Sequence, residues 1–90
     1  MPDLEPLLAR LHEDPTTTIL ALCRIYCEAV TRETVSEDVA VAWAHARFPH
    51  VALARARAIA IGGLPDDYTG IDLDYAAANL RALIAQQDRA

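Results

Sequence analysis

There is no lysine among the 90 residues. Every fixed positive charge therefore sits on one of eight arginines, whose planar guanidinium does not lose its proton and suits two-pronged partners. No apolar run approaches the ~20 residues of a membrane-spanning helix. The opening "MPDLEPLLARLHED" carries acids where a signal peptide carries positive charge, so no leader is expected. Only two cysteines occur, Cys23 and Cys27. Without a secretory signal they read as reduced thiols, which predicts a cytoplasmic protein. Serine occurs once, at Ser36, and glycine three times, with no glycine-rich phosphate loop. Three histidines have no placed acidic partner, so no acid–base pair can be read. These absences predict a protein that is not an enzyme and takes no cofactor.

What is present suits one small domain spanning 1–90. The hydrophobic fraction of 53% excludes disorder. Eighteen of those residues are alanine, which fills little volume. A chain of this length buries only about 60–65% of its unfolded surface, so modest stability is expected without help from a disulfide, a metal or a partner subunit.

The pattern along the chain predicts five helices and no sheet. Leu4, Leu7, Leu8 and Leu11 form one helical stripe, with Pro6 confined to the first turn. Asp14-Pro15 then opens a second helix, whose Ile19, Leu22, Cys23, Tyr26 and Val30 converge on one face. Thr34 or Ser36 caps a third, which runs to about Phe48 because Pro49 disfavours helix at the preceding residue.

The stretch "VALARARAIAIGG" (51–63) is the ambiguous one. Its larger residues alternate with alanine, the period of a strand. A strand would have one nearly featureless face and no obvious partner, whereas alanine is the best helix former. The reading is a fourth helix packed on several sides and stopped by Gly62-Gly63. A final helix follows the loop "PDDYTG", capped by Thr69 or Asp72, with Leu73, Ala77, Leu80 and Ile84 inward. The fold class is thus an all-α compact bundle.

Charge is distributed unevenly. The net charge is −5, yet no acid occurs from Val39 to Pro65, where Arg47, Arg55, Arg57, His45 and His50 lie. Such a window suits phosphate, nucleic acid or an acidic protein face. One helix, the turn "FPH" and a second helix also fit a helix-turn-helix. Against that reading, Arg55 and Arg57 lie about 200° apart on a helix, and the acidic total weakens attraction to DNA.

Cys23, Cys27, His45 and His50 form a zinc-type donor set with unsuitable spacing, and Cys23 lies mid-stripe as a core thiol would. The aspartates of "DDYTGIDLD" miss the pattern of a calcium loop. Trp43, Phe48, Tyr68 and Tyr75 suit either the core or an interface. Trp43 close to Phe48 among alanines makes a compact aromatic patch that another chain would cover, the alternative being that Trp43 plugs the single core.

The sequence therefore predicts a small helical protein-interaction module, an adaptor, inhibitor or regulatory subunit. It self-associates, most simply as a homodimer, through Trp43, Arg47, Phe48 and His50. The alternative is a nucleic-acid-binding regulator using Arg47, Arg55 and Arg57.

Overall fold

The computed structural model describes residues 3–87. Among them are five helices and no strand: α1 (Glu5–Leu8), α2 (Pro15–Thr31), α3 (Glu37–Arg47), α4 (Val51–Ala60) and α5 (Leu73–Gln87). Residues 88–90, included in the final helix by the sequence pattern, lie outside the described residues. No helix among the described residues is long and apolar enough to cross a membrane.

α2 is the axis of the bundle and touches α3, α4 and α5. Its N-terminus is set by the expected cap: the Asp14 carboxylate accepts from Thr17 N at 3.3 Å, with Pro15 at the first helical position. Ile19, Leu22 and Cys23 are fully buried, and Leu20, Tyr26 and Cys27 nearly so. Val30 departs from the expected stripe. It is exposed, in the last turn of α2 just before Arg32 turns the chain in the left-handed region (φ 62°).

α3 takes Ser36 as its cap, with Val39 N donating to the hydroxyl at 3.3 Å. It ends at Arg47, one residue short of the expected limit. α4 settles the strand-or-helix question in favour of helix. It does not pack all round, however. Ala52, Leu53 and Ala56 form one buried stripe, while Val51 and Ile61 stay 55% and 69% exposed.

Gly62 and Gly63 end α4 by satisfying its last carbonyls. Gly62 N donates to Ile59 O and Gly63 N to Ala58 O, with Gly62 in the left-handed region (φ 90°). α5 is capped by Asp72, which accepts from Tyr75 N at 2.9 Å. Thr69, the alternative cap, is instead drawn into a loop turn in which its amide and hydroxyl both donate to Asp67. Those two hydrogen bonds, with Arg55 nearby, hold the Asp67 carboxyl below its usual range.

α1 is shorter than its leucine stripe suggests. Only Glu5–Leu8 is helical, and turns carry the chain to Asp14. Leu4 and Leu11 are nonetheless buried, so this arm is anchored at both ends. It lies against α5 through one ion pair, Arg81 Nη2 to Glu5 Oε1 at 2.6 Å, and one hydrogen-bond contact, His12 Nε2 to Asp74 Oδ1 at 2.8 Å.

Candidate functional site

The corner between α3 and α4 collects most of the singled-out residues. Trp43 is half-buried and meets Tyr26 edge-on, with ring centroids 4.9 Å apart at 70°. The Arg47 guanidinium lies over the Trp43 ring, 3.7 Å from its centroid, and its Nη1 donates to Trp43 O at 3.4 Å. The indole face thus offsets part of a cation that also sits at the negative end of α3.

Phe48 and His50 stack at 5.5 Å across the Pro49 turn. Tyr75 from α5 joins them, 5.7 Å from His50 and 6.5 Å from Phe48. Tyr75 is 54% exposed, so the three rings form an aromatic surface open to solvent. The sequence offers Tyr75 as a core or interface residue but does not place it beside Phe48 and His50, because it lies on a different helix.

His50 has a second role. Its Nδ1 accepts from Ala52 N at 3.0 Å, which caps α4. A neutral ring with Nδ1 as acceptor carries its proton on Nε2. Histidine is not among the strongly preferred caps, so helix-start rules do not find it. Replacing His50 with alanine is expected to lower stability by about 1 kcal/mol more than replacing it with asparagine, which keeps a capping acceptor. Thermal melts of the two variants measure this.

The three arginines of the nucleic-acid reading do not share a face. Arg47 is on Trp43. Arg57 Nε donates to Asp38 Oδ1 at 2.8 Å. Arg55, half-buried on the other side of α4, is near enough to Asp67 and Tyr68 to act on their titration. Tyr68 is in turn fixed by a hydroxyl–hydroxyl bond to Thr16 at 2.8 Å, and Thr16 also donates to Asp66 at 3.3 Å. The loop is thereby pinned to the first turn of α2, a contact that no local pattern announces.

Cys23 and Cys27 are free and buried. Burial, and then the neighbouring Cys27, push the Cys23 thiol up to about 12. That is the opposite of a thiolate ligand or nucleophile. His45 lines a groove of about 350 Å³ between α3 and α4 with Arg57 and Ile61. Among the described residues no three His, Cys, Asp or Glu side chains are grouped so as to hold a metal ion.

A family model described as aminoglycoside adenylyltransferase, C-terminal domain, matches residues 1–86. No curated protein and no solved structure matches the chain. The family match overturns the expectation of a non-enzymatic protein, since this is a domain named from an enzyme family. The expectation came from seeking a complete catalytic constellation inside a single 90-residue helical unit. A domain can belong to an enzyme without displaying one in a short motif. This helical bundle belongs to the family of aminoglycoside adenylyltransferase C-terminal domains.

Proposed function

We propose that the chain serves an aminoglycoside-adenylylating enzyme as its helical domain, meeting both the polycationic substrate and a companion unit that handles the nucleotide. The observation that carries this reading is the family match, which extends over 86 of the 90 residues. In adenylyl transfer, an alcohol oxygen of the aminoglycoside bonds to the α-phosphorus of an adenine nucleotide. The bond from that phosphorus to the leaving phosphate oxygen breaks.

The charge of the domain supports a substrate-facing role. An aminoglycoside carries several ammonium groups, and a net charge of −5 raises the local concentration of such a cation. Exposed carboxylates occur at Glu33, Glu37 and Asp38 around the start of α3, and at Asp66, Asp67, Asp72 and Asp74 leading into α5. We assign the protein contact to the corner bearing Trp43, Arg47, Phe48 and His50, extended by Tyr75. Aromatic and arginine side chains of this kind anchor interfaces.

The test is a titration of the chain with a panel of aminoglycosides, with spermine as a polycation lacking sugar rings. Chemical shifts are followed at low and moderate salt. Aminoglycosides are expected to perturb a confined set of residues and to bind more tightly than spermine, with affinity that falls as salt screens the charges. Absence of binding, or spermine binding equally well, would overturn the reading.

A further inference from the structure

His50 performs two tasks with one ring. Its Nδ1 accepts from Ala52 N at 3.0 Å and so caps α4, whose first turn carries no acid. The same ring stacks on Phe48 and on Tyr75, with centroids 5.5 and 5.7 Å away. The cap exists only while Nδ1 keeps its lone pair. Both nitrogens of an imidazolium are donors, so no rotation of the protonated ring restores an acceptor. Protonation in place would set two N–H groups face to face at 3.0 Å, at the positive end of a helix.

We propose that His50 makes the start of α4 acid-sensitive: protonation of its ring uncaps the helix and displaces the ring from Phe48 and Tyr75. The aromatic surface of the corner is then ordered in mild base and loosened in mild acid. An unfolded chain has no cap to lose, so protonation favours unfolding. The stability carried by the cap is complete above the ordinary histidine range, about pH 6.5, and is lost as the pH falls below it. The device belongs to the chain itself and stands whether or not the corner meets a companion unit.

The surroundings of the ring do not supply a compensating carboxylate. From the end of α3, Phe48 presents its ring, and Arg47 lies over Trp43. His45 lines the α3–α4 groove with Arg57. From α5, Tyr75 presents its ring. The carboxylates that precede it are engaged, Asp72 with Tyr75 N and Asp74 with His12. Among the described residues no carboxylate pairs with His50. The Phe48 and Tyr75 faces attract an imidazolium and offset part of its cost, but they offer Ala52 N no acceptor.

The test follows the wild type and His50→Asn from about pH 8 to about pH 5, a window in which most carboxylates stay ionised. Asparagine keeps a capping acceptor and does not titrate. In urea titrations the folding equilibrium constant of the wild type is expected to fall about threefold more than that of His50→Asn, the part of a cap's worth that the aromatic faces do not return. His12 and His45 are common to both proteins and cancel from the difference. In the wild type, the Ala52 amide and the ring protons of Phe48 and Tyr75 should shift with the same midpoint as the His50 ring protons. The Ala52 shift should be absent from His50→Asn. If the variant does not fold, the wild-type shifts decide alone. An Ala52 amide that stays fixed while His50 takes up its proton, or equal losses of stability in the two proteins, would overturn the proposal.

Discussion

Raising the pH from 8 to 11 will destabilise the wild-type domain far more than the Cys23→Ala variant. Cys23 is fully buried, and its thiol titrates at about 12 in the folded chain. In the unfolded chain it titrates near 9. Between those limits the unfolded state has released the proton and the folded state has not. The unfolded state then binds fewer protons, so unfolding becomes easier as pH rises. The stability associated with this thiol is complete below pH 9 and is lost progressively up to about pH 12. The loss is on the order of 3 kcal/mol by pH 11, at about 1.4 kcal/mol per pH unit. Tyrosine titration contributes in both proteins, so the difference between their melts isolates Cys23. Iodoacetamide should label neither thiol in the native state, since Cys27 is buried as well. Equal alkaline losses in the two proteins would show that Cys23 is not sealed from water.

Leu22→Ala is expected to cost about 2–5 kcal/mol, the range for emptying a packed leucine site. Leu22 is fully buried on α2, the helix that touches α3, α4 and α5. Domains have stabilities of about 0.05–0.15 kcal/mol per residue, so a 90-residue chain holds about 5–13 kcal/mol. The single change therefore removes a large fraction of the total. Ile61→Ala removes a side chain of similar size from a 69% exposed position and should change stability by less than about 0.5 kcal/mol. Urea titrations of both variants provide the comparison. Similar midpoints would mean that α2 is not the organising helix.

The helix order was legible because each start and stop carried its own local chemistry. Asp14-Pro15, Ser36, Gly62-Gly63 and Asp72 act through hydrogen bonds that span five residues or fewer. The four-residue length of α1 was less accessible, because it depends on how the arm is tied to α5 through Glu5–Arg81 and His12–Asp74. Those pairs join opposite ends of the chain, and no window along the sequence contains both partners.

The aromatic corner was half legible for the same reason. Trp43, Arg47, Phe48 and His50 are neighbours in sequence, whereas Tyr75 arrives from α5. Histidine as a helix cap follows from the turn at Pro49, which swings the His50 ring onto Ala52 N. Membership of an enzyme family lay in no motif at all. The match runs across residues 1–86, so its signal is spread through the pattern of the whole bundle. Motif reading finds short clusters of reactive side chains and passes over such a signal.

The alanines of α3 and α4 set a limit on substitution. Ala40 and Ala44 on one helix, and Ala52 and Ala56 on the other, are completely buried. A larger side chain at any of the four has to displace packed neighbours, at a cost of typically about 1–3 kcal/mol. The short side chains thus decide how near these two helices lie to the elements that cover them.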